Sequence, residues 1–233
     1  HNTAELAGPR KCVTERWHIF CGKPRRHSDS GDIVPKRFRK TPQKKIIQNM
    51  IQPIYLYGSE VLRARAEEID IEDKEGIASL VQDLKDTLKH SDGCGLAAPQ
   101  IGVSKRALIV DGTGMTDVYD YLKDFKRTML NPVILEQSKE ETDYSEGCLS
   151  IPGIYCEISR PKSMTVEYYN ENGEKVTEKF DKFACRMVQH EMSHLDGDMF
   201  VDHVSPIRKK MISKKLQNIA KGKVSTHYNT KIK

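Results

Sequence analysis

No apolar run in these 233 residues approaches the roughly 20 needed to cross a bilayer, which excludes a transmembrane helix. Nor does the chain open with the charged-then-apolar start of a secretory signal. Its six cysteines (Cys12, Cys21, Cys94, Cys148, Cys156, Cys185) are even in number, but without such a signal they point to a reducing compartment rather than a disulfide framework. Each is then by default a small buried hydrophobe. The body of the chain also lacks an excess of positive charge. Of 38 basic and 33 acidic residues, 12 and 4 fall in residues 1–49, a local balance of +8; the other 26 and 29 give −3. From Met50 onward, bulk charge therefore excludes a nucleic-acid binder.

The basic stretch 1–49 also lacks a sustained apolar period, and it holds Pro9, Pro24, Pro35 and Pro42. It reads as a low-order extension with three open accounts: a translated upstream region, an organelle-targeting leader, or a basic arm for an anionic partner. The start at His1 rather than Met, with the first orderly segment at Met50, favours the first. The spacing of Cys12, His18 and Cys21 fits no standard zinc knuckle.

Strict alternation of strand and helix is missing too. Ile77 to His90 carries apolar residues at 77, 80, 81, 84 and 88 with charges between, which predicts an amphipathic helix broken by Gly93-Cys94-Gly95. Ala107–Val110, Met129–Leu135 and Met164–Tyr169 read as strands. Asn172-Gly173 supplies a turn and Lys175–Phe180 the returning strand, a hairpin that leads into a second helix. That helix has Asp181 as candidate N-cap, apolar residues Phe183, Ala184, Met187, Val188, Met192 and Leu195 at spacings of three and four, and Gly197 to end it. With apolar residues on more than one side, it should be buried. Pro206 to Lys221 predicts a surface helix whose basic face is either simply solvated or docks on an anion such as ribosomal RNA. Elements in runs predict an α+β fold, with antiparallel or mixed β-sheets packed around the central helix.

What is present is chemistry. Gln189-His190-Glu191-Met192-Ser193-His194-Leu195-Asp196-Gly197 places two imidazoles four residues apart on one helix face, where both can reach one divalent ion, and puts Glu191 within reach of a bound water. Three protein ligands and an open position make a catalytic site, so one ligand is still to be assigned, and several acids and cysteines could serve. Glu146-Gly147-Cys148-Leu149-Ser150 offers one; alone, Cys148 reads more readily as a core cysteine. A third stretch, Gly93-Cys94-Gly95-Leu96-Ala97-Ala98-Pro99-Gln100, lies upstream.

These three stretches, in this order and at these separations, resemble the peptide deformylase family, hydrolases that remove the formyl group from the N-terminal formyl-methionine of nascent bacterial or organellar polypeptides. The likeness covers roughly Met50 to Val204, including Val61-Leu62-Arg63 and Asn131-Pro132. A lone HExxH is shared by many unrelated metalloenzymes, and three motifs together are far more specific. The resemblance implies a catalytic domain over 50–204 and a C-terminal basic helix and tail over 205–233. It implies Cys148, His190 and His194 as metal ligands, Glu191 as general acid/base, and the Gln100 amide and Leu149 backbone N–H as oxyanion donors. It implies iron(II) as the native metal, with zinc(II) or nickel(II) able to occupy the same site.

Gly93, Gly95 and Gly147 would let backbone approach the substrate, which adds itself as a strand along Gly95 and Gly147. By position, Cys94, Phe183 and Met187 would line a methionine pocket beside the stem of Glu146, and Glu146 should pair with Arg160. Two departures stand out: Cys94 replaces an expected isoleucine or valine, and Arg186 occupies an expected apolar position. A monomer in the bacterial cytoplasm is expected, with an organelle stroma or matrix the alternative, acting on nascent formyl-Met termini; the ribosome is a candidate partner for its C-terminal helix. The alternative from the same chemistry is an HExxH zinc endopeptidase, which would take a downstream third ligand instead of Cys148.

Overall fold

The stripe expected at 77–90 forms α1, Lys74–Ser91, in a computed structural model that describes residues 51–233. The extension 1–49, with its three accounts and the Cys12, His18, Cys21 trio, lies outside the described residues. Asp73 caps α1 by accepting from the Gly76 N–H, and Asp92, in the left-handed region at φ 54°, ends it.

The chain then enters a five-stranded antiparallel sheet of β2 (Gly95–Ala97), β3 (Ala107–Asp111), β4 (Lys126–Gln137), β7 (Ser163–Tyr169) and β8 (Lys175–Asp181), adjacent in that order. The pleat sends alternate residues to opposite faces. Leu108 and Val110 therefore join Met129, Val166 and Phe180 against a second helix, α2 (Lys182–Leu195). Ile109 and Leu96 join Leu130 against Ile77, Val81, Leu84 and Leu88 of α1. Both faces of the sheet are thus covered, which explains the near-continuous apolar runs in β2 and β3.

As expected, α2 is the buried centre: 12 of its 14 residues are buried. Its start differs from the expectation, because the Asp181 side chain caps nothing. Asp181 is the last residue of β8, paired with Ser163, and the chain turns through Lys182 at φ 52°. The Tyr121 hydroxyl, from the loop before β4, accepts the orphan Phe183 N–H at 3.1 Å in its place.

A second sheet, unanticipated, is the hairpin of β5 (Glu141–Cys148) and β6 (Ile151–Pro161). It packs Ile154, Cys156 and Ile158 against Phe200 and against Ile212, Leu216 and Ile219 of α3 (Pro206–Ala220). As expected, α3 lies at the surface, but of its apolar residues Ile207 and Met211 are exposed alongside the basic ones. Finally β9 (Thr230–Lys231) runs parallel to β1 (Ile54–Tyr55), so the last residues return to the first described ones. The architecture is α+β with predominantly antiparallel strands.

Candidate metal centre

Two elements bring the ligand candidates together. The period of α2 stacks His190 and His194, ring centroids 5.2 Å apart, on the face turned towards the β5–β6 hairpin. The hairpin reverses at Leu149-Ser150 and holds Cys148 opposite Ile151 at its tip. One ligand atom from each of Cys148, His190 and His194 lies within 4.8 Å of the others, and all three residues are buried. Cys148 Sγ is 3.2 Å from His194 Nε2. His190 Nδ1 is engaged 2.8 Å from Glu146 Oε2, which leaves Nε2 as its ligand atom.

A cavity of about 10 Å³, room for about one water, sits beside this triangle. It is lined by Gly93, Cys94, Gly95, Gln100, Gly147, Cys148, Leu149, His190 and Glu191. Glu191 lines this cavity, and its buried Oε2 has no hydrogen-bond partner. One sulfur and two ring nitrogens with an acid alongside suit a divalent ion that keeps a position open. The donor set fits.

The protein's own charges set the protonation states. Burial pushes the Glu191 carboxyl up to about 7, against the pull of the neighbouring His190 charge. Burial pulls His190 down, but its bonds to Cys148 and Glu146 outweigh that and raise it to about 10. Burial, aided by the nearby positive charges of His190 and Arg160, drives His194 well below the usual histidine range, so its ring stays neutral. An ion arriving here meets one ready imidazole and displaces a proton from the other.

Glu146, with no exposed surface, organises the surroundings. Arg160 donates to both its oxygens from Nε and Nη2, at 2.7 and 3.1 Å, the pairing anticipated from the sequence. The oddly placed Arg186 is explained here: it is 1% exposed and its Nη1 donates to Glu146 Oε1 at 2.7 Å. It also donates to the Ile158 and Thr142 carbonyls, and its guanidinium lies 5.1 Å over the Tyr144 ring. Burial opposes ionisation of Glu146, yet His190, and then Arg160, hold its carboxyl far below the usual range. A polar residue within the apolar stripe of α2 was the available signal for this second arginine.

The other predicted residues divide. Gln100 Nε2 donates to Cys148 Sγ at 3.4 Å and to Ser150 Oγ at 3.2 Å, while its Oε1 accepts from Ala97 N. Gly95 is a close approach to protein rather than open space, since a Cβ there would overlap the Glu191 carboxylate. A Cβ on Gly147 would meet the Tyr155 ring at 2.5 Å, and one on Gly93 would meet Leu88 and Leu149 at 2.9 Å. Phe183 and Met187 are not brought to the cavity. Phe183 stacks on Tyr119 at 4.8 Å and meets Tyr144 of β5 edge-on at 5.6 Å, and Met187 packs in the same core cluster as Cys94. Cys94 does line the cavity.

Comparison with known proteins agrees with this geometry. A profile of the family described as polypeptide deformylase matches residues 51–210. A peptide deformylase of Christiangramia forsetii is 39% identical over 186 residues, covering 77% of this chain and 94% of that protein. One from Flavobacterium psychrophilum is 40% identical over 190 residues, covering 78% and 97%. Among solved structures, a peptide deformylase from Legionella pneumophila has a TM-score of 0.66 at 32% identity, covering 75% of this chain and 98% of that one. A Plasmodium falciparum peptide deformylase in complex with an inhibitor gives 0.63 at 33%, covering 72% and 99%.

Proposed function

This chain belongs to the polypeptide deformylase family and removes the formyl group from the N terminus of new polypeptides, and from that premise we propose how its residues divide the work. Cys148, as thiolate, with His190 Nε2 and His194, holds one divalent ion; iron(II) is the proposed native metal, with zinc(II) or nickel(II) accepted by the same three ligands. The observation that carries this is the buried triangle of ligand atoms within 4.8 Å, with Glu191 on the same helix between the two histidines. A thiolate ligand from the hairpin leaves no need for a downstream third ligand, so the endopeptidase reading is not favoured.

When bound, the ion supplies Lewis acidity, polarising the formyl oxygen and acidifying adjacent water. Glu191 takes the water's proton as the oxygen attacks the formyl carbon, then hands that proton to the amine nitrogen as the C–N bond breaks and formate leaves. Proton transfer of this kind is worth about 10²–10⁴-fold. Its place on α2 between the two histidines, beside the cavity, lets Glu191 serve in both directions. The Leu149 N–H and one N–H of Gln100, turned away from its long contacts to Cys148 and Ser150, stabilise the developing oxyanion.

Glu146, through Nδ1 of His190, fixes the ring so that Nε2 points to the ion. The substrate's backbone runs beside Gly95 and Gly147, and Cys94 borders the methionine side chain. Residues 50–204 act as the catalytic unit. The basic face of α3, within 205–233, docks the enzyme on the ribosome, and the enzyme works as a cytoplasmic monomer. The described residues hold no helix long and apolar enough to cross a membrane.

Assay of anaerobically metal-loaded protein on formyl-Met-Ala-Ser and on an unformylated protein tests the assignment. Formate release from the first alone is expected. Cleavage of the second alone would end the deformylase reading.

A further inference from the structure

The turn that carries Cys148 is unusual in where it lies. Cys148 pairs with Ile151 across a two-residue reversal, and all four residues from Cys148 to Ile151 are buried, with Ser150 and Ile151 at 0%. Turns normally sit at the surface because their carbonyls need water; a buried one must find protein donors instead.

Two successive carbonyls of this turn do so from one place. Ser150 O accepts from the Tyr57 backbone N–H at 2.8 Å, and Leu149 O accepts from the Tyr228 hydroxyl at 2.8 Å, across 79 residues of sequence. Tyr57 follows β1 and Tyr228 precedes β9, and those two strands pair in parallel. Ile54 N donates to Asn229 O and Leu56 N to Lys231 O, both at 2.9 Å, while Lys233 N reaches Ser59 Oγ at 3.3 Å. The Tyr228 ring is 5% exposed and packs in the cluster that contains Leu149. The chain's two described ends therefore form a clamp on the backbone of the turn.

On our reading of the site, that turn delivers both the Cys148 sulfur and the Leu149 N–H, groups that must be placed within about 0.5 Å to work. We propose that Tyr228, 18 residues beyond the end of the family match at 210, is a positioning residue for deformylation. Its hydroxyl fixes the Leu149 carbonyl and so sets the aim of the neighbouring N–H and sulfur. The inference rests on the roles proposed above for Cys148 and Leu149.

Tyr228→Phe keeps the buried ring and removes only the donor. In the cobalt(II)-loaded full chain, assayed well below its melting temperature, this change should lower kcat on formyl-Met-Ala-Ser about tenfold with KM within twofold, the scale of a lost outer support or of a donor displaced by a fraction of an ångström. The thiolate-to-cobalt charge-transfer band should shift as well, a signature that loss of global stability alone does not produce. Thr226→Val, which removes the 2.7 Å bond from Thr226 Oγ1 to the Tyr228 carbonyl but leaves the phenol, should keep kcat within twofold. Wild-type kcat and an unmoved band in folded Tyr228→Phe would overturn the proposal, as would an equal loss in Thr226→Val, which would make the strap merely structural. If wild-type protein released no formate, the functional reading would fail instead.

Discussion

Replacing Arg186 with methionine isolates the most unexpected feature of the site. Methionine fills a similar volume, so the change removes charge and donors rather than packing. Three acceptors lose a partner: Glu146 Oε1 at 2.7 Å, Ile158 O at 2.9 Å and Thr142 O at 2.5 Å. Breaking a buried ion pair from one side costs about 3–5 kcal/mol. Arg160 still grips both oxygens of Glu146, which places the loss near the lower end, about 3 kcal/mol. At about 2–4 °C per kcal/mol for a chain of this size, Tm should fall by about 6–12 °C. Glu146 is also the partner of His190 Nδ1, so looser support should weaken metal affinity about 10–100-fold. Arg186→Lys should recover only part of either loss, because one ammonium cannot copy the planar fork. Calorimetry and chelator competition on purified variants read both quantities. A Tm within 2 °C of wild type together with unchanged affinity would show that Arg160 alone holds Glu146, about 0–2 °C being what a neutral surface change gives.

Glu191→Gln should retain the metal yet lower kcat about 10²–10⁴-fold; metal analysis beside turnover checks this, and normal turnover would show that the proton carrier is misassigned. Gly95→Ala should cut turnover while the metal stays bound, because the new methyl overlaps the Glu191 carboxylate; wild-type kinetics would show that the two never approach in solution. In chelator-stripped protein, Glu191 contributes stability below its ordinary pKa that is lost as pH rises through about 7, and His190 contributes stability below 6.5 that is lost through about 10. His194, held well below its ordinary range, works in the opposite sense and offsets Glu191 below 6.5. Tm of stripped protein should therefore decline from about pH 6.5 to about pH 10, and less so after metal loading, since the ion replaces the His190 proton. A rising melting curve over that window would contradict these protonation states.

His190, Glu191 and His194 were legible in the sequence because helical periodicity alone puts them on one face. Among the sheet strands, β3 and the centre of β4 were legible as short apolar runs, β7 by its alternation, and β8 as the strand returning from the Asn172-Gly173 turn. The β5–β6 hairpin was not: Glu141 to Ser145 reads as a polar loop, and the reversal at Leu149-Ser150 has neither glycine nor asparagine to announce it. Cys148 was therefore visible only through the motif around it. Arg186 was visible as an anomaly whose reason lay 40 residues away in Glu146. Asp181 looked like a cap, but the ladder to Ser163 commits its backbone, and a distant tyrosine does the capping. Phe183 and Met187 share the stripe that carries the histidines, and what decides that they face the core is tertiary packing, with Tyr119 and Tyr144 closing over Phe183. Tyr228 left no local signal at all, because its significance arises from the pairing of β1 with β9.

The most direct measurement is X-ray absorption at the metal edge of the loaded enzyme, wild type beside Cys148→Ala. One sulfur at about 2.3 Å and two imidazole nitrogens at about 2.0–2.1 Å are expected around a zinc-loaded site, with the sulfur shell gone and affinity lost in the variant. A wild-type spectrum of nitrogen and oxygen neighbours only, unchanged by removing Cys148, would contradict the convergence of hairpin and helix on one ion.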